Sequence, residues 1–213
     1  MTMRGYSGIR AAGLLGVTAS WLLAACVSTA PHGTRSLPPN ATVPATAPWE
    51  QRLPALQAIA SFEIDGKIAA SDGKQGFSAG LRWRQHGDAA SIDLSAPLGF
   101  GAAHIEQGGD GLTVTTAQGA TFTGAGADNQ LAATLGFEPP LGSLRFWVLG
   151  ASDPALPAQE SIDEQQRLAH LEQDGWHVDF EDYAVVNEQW LPRRLTVTRQ
   201  ALRLKLIVNT WRL

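Results

Sequence analysis

The sequence predicts a mainly β protein in which one strongly curved antiparallel sheet forms an open or incomplete barrel, with short helices over one mouth. From residue 61 onward, apolar and polar side chains alternate with a period of two in about ten runs, separated by turns that contain Gly and Asp. The predicted helices are too few and too short to cover the apolar face of so many strands. The sheet must therefore curve around its own apolar side chains. A filled core without a cavity remains the alternative, because both arrangements produce the same alternation.

The N-terminus carries a secretory signal that ends at the single cysteine. Arg4 and Arg10 accompany an apolar run at 11–23, and Leu-Ala-Ala-Cys at 23–26 matches the lipobox of bacterial lipoproteins. We therefore expect residues 1–25 to be a signal peptide. Cys26 then becomes the new N-terminus and carries covalent acyl and diacylglycerol groups, and no other cofactor is predicted.

A tether and one domain follow the lipidated cysteine. Residues 26–48 are rich in Pro, Ala, Ser and Thr, lack apolar periodicity, and predict a flexible tether. Residues 49–213 then form a single domain. Val27 stands where an Asp would resemble the inner-membrane retention signal of enterobacterial lipoproteins. The sequence thus favours a lipid anchor in the outer membrane, with the domain facing the periplasm.

Composition restricts the possible partners. The chain has a formal net charge of −4 and no cluster of Lys or Arg. It therefore lacks the counterion release that drives nucleic-acid binding and the attraction that draws proteins to anionic headgroups, so nucleic acid is excluded as a partner. The seven tryptophans indicate either an unusually aromatic core or an apolar pocket.

In chain order, the pattern predicts a helix, a group of strands, two helices and a second group of strands. Apolar spacing over 49–60 predicts the first helix, although Pro54 must kink it or start a second one. Asp128 is expected to cap a helix at 129–135, and a further helix follows the proline pair at 141–149. The predicted strands are centred on residues 62–69, 77–84, 91–94, 105, 112–114, 162, 168–170, 176–180, 195–197 and 202–208.

One predicted loop has an apolar tip where a hairpin tip is normally polar. It consists of Pro97, Leu98, Gly99 and Phe100, followed by Gly101. Pro97 restricts the backbone, and the two glycines allow positive φ on either side of Phe100. The loop can therefore project Leu98 and Phe100 outward, where they would contact a membrane. Alternatively, both side chains fold back under the sheet as a plug.

No pattern of catalytic residues is present in the sequence. It has no nucleophile elbow, zinc-protease helix, phosphate-binding loop or dinucleotide fingerprint, so no catalytic residue is assigned and an enzyme is not expected. The histidines are scattered and are expected to be solvated, with no metal site; they are His32, His86, His104, His170 and His177. The carboxylates at 163–164, 172–174 and 179–182 are interpreted as a solvent-facing surface.

Several short segments, in the order in which they occur, resemble the LolB family. They are the lipobox, F-S-A-G-L-R-W at 77–83, S-A-P-L-G at 95–99, S-L-R-F-W-V-L-G at 143–150, D-G-W-H-V at 174–178, Leu191-Pro192, and L-K-L-I-V-N-T-W at 204–211. The resemblance covers the signal and residues 49–213. Phe100 and Pro54 depart from the family pattern.

This resemblance implies a fold, a role and several site residues. The fold is an unclosed antiparallel β-barrel of about ten to eleven strands, lidded by short helices over an acyl-binding cavity. Trp83, Trp147 and Trp176 are expected to line that cavity, and Leu98 to insert cargo into the membrane. The implied partners are a LolA-like periplasmic carrier, lipoprotein cargo and outer-membrane lipid, and the protein is expected to act as a monomer. Binding of another amphiphile, or a structural role in an envelope complex, remains the alternative.

Overall fold

The computed structural model describes residues 44–96, 102–135 and 137–213, and these contain eleven strands. The strands are β1 (Ser61–Ser71), β2 (Gly76–His86), β3 (Ala89–Ser95), β4 (Ala103–Gly108), β5 (Gly111–Thr116), β6 (Thr121–Thr123), β7 (Ala158–Ile162), β8 (Leu168–Gln173), β9 (Trp176–Val186), β10 (Gln189–Arg199) and β11 (Leu202–Arg212). All neighbouring strands pair antiparallel in one sheet, in the order β6-β5-β4-β3-β2-β1-β11-β10-β9-β8-β7. The first and last strands of that order remain unpaired with each other, which confirms the predicted unclosed sheet.

Three short helices accompany the sheet in the part of the chain that the structure describes. They are α1 (Trp49–Gln57), α2 (Ala125–Leu135) and α3 (Leu141–Trp147). Pro54 lies inside α1, which runs as one helix from Trp49 to Gln57. The carbonyl that Pro54 leaves without a donor belongs to Glu50 in the first turn, where water can replace it. None of the described helices is long and apolar enough to cross a membrane.

Three helix boundaries differ from the predicted ones. α1 ends at Gln57, three residues before the predicted end at residue 60. α2 begins at Ala125, so Asp128 lies in its first turn instead of preceding it. Its carboxylate is still favourably placed against the helix dipole. α3 ends at Trp147, two residues early, because the chain turns at 148–150 and Gly150 adopts a φ of 73°.

The inward-facing side chains of the sheet and helices form one continuous buried cluster. β1 to β5 contribute alternate residues such as Ile64, Leu81 and Ile105. On the other side of β1 in the sheet, β10 and β11 contribute Leu195 and Leu204 in the same way. The helices add Leu56, Leu131, Leu144 and Trp147. The sheet therefore has one apolar concave face, and the helices pack onto it.

A bulge in β8 determines which side chains reach that face. Ser161 pairs with His170 and Ile162 with Leu168, so Ala169 is an extra residue in β8. Strict alternation from Leu168 would turn His170 inward. The bulge instead buries Leu171 and Gln173 and leaves His170 and Glu172 on the convex face.

The β9–β10 hairpin extends beyond the predicted strands. Its strands extend to Val186 and from Gln189, joined by Asn187 and Glu188, which both have positive φ (47° and 63°). Positive φ at both central residues fits a tight two-residue hairpin turn. The sequence does not predict this extension. Pro192 lies within β10, and a proline normally argues against a strand.

Candidate functional site

The concave face contains all three tryptophans predicted to line a cavity. Trp83, Trp147 and Trp176 are 3%, 0% and 3% exposed. Trp147 and Trp176 are neighbours, with ring centroids 6.3 Å apart, whereas the ring of Trp83 packs edge-on against Phe62 at 5.5 Å. All three belong to the same buried cluster. The structure thus brings two of them into direct contact and places the third elsewhere on the same apolar face.

A buried glutamine connects α3 and the segment that follows it to the sheet. Gln173, 2% exposed, accepts hydrogen bonds at Oε1 from Trp147 Nε1 and from the Asp153 N–H, both at 2.9 Å. Its Nε2 donates to the carbonyls of Asp153 (2.9 Å) and Leu156 (3.1 Å). We call this set of four hydrogen bonds the Gln173 network. It satisfies the polar groups that α3 and residues 153–156 bury against β8.

Three pockets surround the segment 138–142, which joins α2 to α3. A pocket of about 280 Å³ is lined by Trp83, Leu141 and Gly142 among others. A second of about 220 Å³ includes Glu138, Pro139 and Leu141, and a third of about 520 Å³ includes Glu138, Pro139, Pro140 and Trp176. Trp83 and Trp176 therefore each line a pocket beside this segment. Both of these pockets are thus lined in part by side chains of the buried cluster.

The first helix is attached to the β7–β8 hairpin by a buried arginine and a tryptophan. Arg52 is 1% exposed and donates from Nη1 to the carbonyl of Gln166. Burial lowers the pKa of the Arg52 guanidinium below its ordinary value. Trp49 Nε1 donates to Glu160 Oε2 at 2.7 Å, and its backbone N–H donates to Gln166 Oε1 at 3.2 Å. α1 is the first described helix after the predicted tether, and these bonds fix it to the sheet.

The turn that receives α1 is itself held by an ion pair. Burial acts to raise the pKa of Asp163, but hydrogen bonds from the side chain and backbone of Arg167 outweigh it, so the pKa lies below its usual range. Arg167 Nε approaches Asp163 Oδ2 at 2.7 Å. The guanidinium also stacks over the ring of Tyr183, whose own pKa is raised, chiefly by burial.

The four histidines within the described residues, His86, His104, His170 and His177, lie on the convex face, and two of them are close together. His170 and His177 lie on β8 and β9 with ring centroids 6.1 Å apart. Glu172 Oε1 lies 3.6 Å from His170 Nε2 and 3.4 Å from His177 Nδ1. Asp179 Oδ1 lies 2.8 Å from His170 Nδ1. The sequence does not predict this cluster, because only the strand register reveals that the residues are adjacent.

The remaining predicted site residues lie outside the described residues. They are the lipidation residue Cys26 and the loop residues Pro97, Leu98, Gly99 and Phe100. Their roles therefore stay predictions. Gln173 and Arg52 had not been singled out, since a single Gln or Arg in a sequence gives no sign that its side chain is buried.

Comparison with known proteins gives a consistent result. A family model described as outer membrane lipoprotein LolB matches residues 60–211. The outer-membrane lipoprotein LolB of Stutzerimonas stutzeri is 32% identical over 198 residues, which is 93% of this chain and 94% of that protein. The one from Nitrosococcus oceani is 32% identical over 166 residues, covering 78% of this chain and 83% of that protein. The crystal structure of a LolA superfamily protein from Nitrosomonas europaea shares the fold, with a TM-score of 0.50 at 12% identity, over 81% of this chain and 94% of that one.

Proposed function

Because this chain belongs to the LolB family of outer-membrane lipoproteins, we propose that it accepts lipoproteins from a LolA-type periplasmic carrier and inserts them into the outer membrane. The observation that carries this proposal is the concave face of an unclosed sheet, lined mainly by apolar side chains and covered by short helices. Such a face can hold the acyl chains of a lipoprotein while the protein part stays in water.

Such a transfer requires the acyl chains to be shielded from water, and it requires no chemical reaction. Exposing a methylene to water costs about 0.8 kcal/mol, so a carrier, a receptor and a bilayer can pass acyl chains along if each step is downhill. No bond is made or broken, and no nucleotide is consumed. The proposed role is therefore non-catalytic.

Entry of an acyl chain requires α3 and segment 138–142 to move. Leu144, Trp147 and Val148 occupy the concave face, so an acyl chain must displace them. The pockets beside Glu138, Pro139 and Leu141 supply space next to the part that moves. The Gln173 network opposes the movement. We distinguish a closed form, with α3 packed as described, from an open form in which α3 has left the face.

Anchor and delivery are assigned to the residues predicted from the sequence. Cys26 carries the acyl groups that hold the protein in the outer membrane, on the periplasmic side, and residues 26–48 connect it to the half-barrel. Leu98, with Phe100, contacts the membrane when cargo is released. The partners are the carrier, the cargo and the membrane lipid, and the receptor acts as a monomer.

A reconstituted transfer assay tests the function. Liposomes carrying the full-length protein are mixed with a fluorescently labelled lipoprotein bound to a purified LolA-type carrier. We expect label to appear in the liposome fraction without ATP, and only when the receptor is present. Failure to acquire label from the carrier under these conditions would contradict the proposal.

A second measurement examines the acyl site itself. Brominated fatty acids quench tryptophans that they touch, so they should quench the wild type. The quenched fraction should fall in Trp147→Phe and Trp176→Phe. Trp190→Phe is the matched control, because the Trp190 ring lies against Arg167 and outside the buried cluster. Quenching that depends equally on Trp190 would place the acyl chain elsewhere.

A further inference from the structure

The cluster of His170, Glu172, His177 and Asp179 on the convex face has the arrangement of a metal site. Glu172 pairs directly with His177 across the β8–β9 ladder, and His170 pairs with Asp179. The two histidines are therefore diagonal neighbours on one face of the sheet, and each is flanked by a carboxylate. All four belong to the face that the β8 bulge turns outward, opposite to the buried cluster.

Three of these residues each offer one potential ligand atom, and the three atoms lie close together. His170 Nε2, Glu172 Oε1 and His177 Nδ1 belong to residues whose ligand atoms lie within 4.8 Å of one another. Ligands of a tetrahedral Zn²⁺ with bonds of about 2.0–2.2 Å are separated by roughly 3.4 Å. The side chains are half-buried or exposed, so small rotations can bring the ligand atoms to that separation.

The fourth residue sets the orientation of one ligand. Asp179 Oδ1 accepts a hydrogen bond from His170 Nδ1 at 2.8 Å. This bond places the proton of neutral His170 on Nδ1, which leaves Nε2, the nitrogen 3.6 Å from Glu172 Oε1, available to bind a metal ion. A carboxylate that holds the far nitrogen of a metal-binding histidine is a recurring feature of zinc sites.

We propose that His170, Glu172 and His177 bind one Zn²⁺ ion, with Asp179 as a positioning residue. Imidazole nitrogens combined with a carboxylate favour a first-row transition ion over Ca²⁺ or Mg²⁺, which prefer oxygen ligands alone. The remaining coordination position faces solvent, where water or a group from another molecule completes the shell. The ion joins β8 to β9 on the face opposite the acyl-binding surface. It is therefore independent of the proposed transfer function.

The chain provides a matched comparison in His104. His104 also lies on the convex face between two carboxylates, with Asp93 Oδ1 at 2.7 Å from Nδ1 and Glu106 Oε1 at 3.4 Å from Nε2. It forms no such three-residue cluster within the described residues, because its two carboxylates lie at opposite ring nitrogens and do not share one of them. If carboxylates beside a histidine were sufficient for binding, His104 would bind the ion equally well.

Isothermal titration with ZnCl₂ tests the site on the full-length protein in detergent micelles, prepared without a histidine tag. We expect saturable binding of one Zn²⁺ per chain and a higher unfolding midpoint in its presence. His170→Gln and His177→Gln should each weaken binding by more than about tenfold, Asp179→Asn by about tenfold, and His104→Gln not at all. All variants retain Cys26, so any contribution of its sulfur cancels.

The outcomes separate the site from adventitious binding. Saturable binding that is lost in both histidine variants and retained in His104→Gln supports the proposal. No saturable binding, or binding that His104→Gln weakens as much as His170→Gln does, overturns it. Circular dichroism of each variant verifies its fold, and Co²⁺ absorption provides a second measure of coordination by nitrogen. A Co²⁺ spectrum that the two histidine substitutions leave unchanged would also overturn it.

Discussion

Replacing Gln173 by methionine tests how the closed form is held. Methionine has nearly the same length and fills irregular core space, so the change removes hydrogen bonds without opening a large cavity. Three buried partner groups lose their bonds, namely the Trp147 indole N–H and the Asp153 N–H and carbonyl. Each unsatisfied group costs about 1–3 kcal/mol. We expect Gln173→Met to lower the free energy of unfolding by about 3 kcal/mol.

Urea unfolding followed by tryptophan fluorescence measures this loss. The predicted domain, residues 49–213, is suitable for the measurement, because it contains every residue of the buried cluster. With a typical slope of about 2 kcal/mol per molar urea, the midpoint should fall by about 1.5 M. Gln159→Met on the exposed surface of β7 is the control and should stay within about 0.5 kcal/mol of the parent. A loss in Gln173→Met no larger than the control would refute the energetic role of the network.

The same variant also connects the network to acyl binding. If the lost free energy belongs to the closed form alone, the open form becomes more populated, and the apparent affinity for a fatty acid rises by up to about 100-fold. Fluorescence titration of wild type and Gln173→Met with the same fatty acid gives the ratio. A large loss of stability combined with unchanged affinity would show that acyl chains enter without breaking the Gln173 network.

Three further predictions concern the anchor, the loop and acid stability. Cys26→Ala with an ordinary cleavable signal should give a soluble, folded monomer; sedimentation with membranes at moderate salt would argue against Cys26 as the anchor. Leu98→Glu should take lipoprotein from the carrier but deliver it poorly to liposomes, because a carboxylate resists entering hydrocarbon; a large loss of thermal stability would instead identify Leu98 as a buried plug. Asp163→Asn should lower stability by about 1–2 kcal/mol at pH 7, because it removes the charged acceptor of Arg167. The pKa of Asp163 is depressed in the folded state, so its contribution to stability is fully present above the unfolded-state pKa of about 3.9 and disappears as pH falls through the lower folded-state pKa. The urea midpoints of parent and variant should therefore converge at low pH. A constant difference down to pH 2 would be inconsistent with this ion pair.

The strands and their buried faces could be predicted from the sequence, because apolar and polar residues alternate wherever a strand is regular. β2 illustrates this, with Ala79, Leu81 and Trp83 inside and Arg82 and Arg84 outside, as the pattern predicts. The buried face of β8 could not be predicted from the sequence. One extra residue there reverses which side chains face inward, and a bulge leaves no sign in the composition.

The candidate site shows the same division. Apolar residues such as Trp147 could be assigned to the concave face, because burial of large aromatic side chains is favourable in any fold. Gln173 and Arg52 could not be recognised, since their burial is tolerable only with partners that tertiary packing supplies. The metal ligands His170 and His177 are seven positions apart, and only the pairing of β8 with β9 makes them neighbours.

The lengths of the two edge strands of the sheet affect whether receptors that are crowded in one membrane can pair edge to edge. An unclosed sheet has two edges whose free backbone groups can template pairing with another molecule, and a lipid anchor would hold many copies at one surface in a common orientation. β1, β2, β9, β10 and β11 each span eleven residues, whereas the edge strands β6 and β7 span three and five. The edge strands β6 and β7 themselves therefore offer few unpaired backbone groups, and such short edge strands disfavour edge-to-edge polymerisation among crowded receptors.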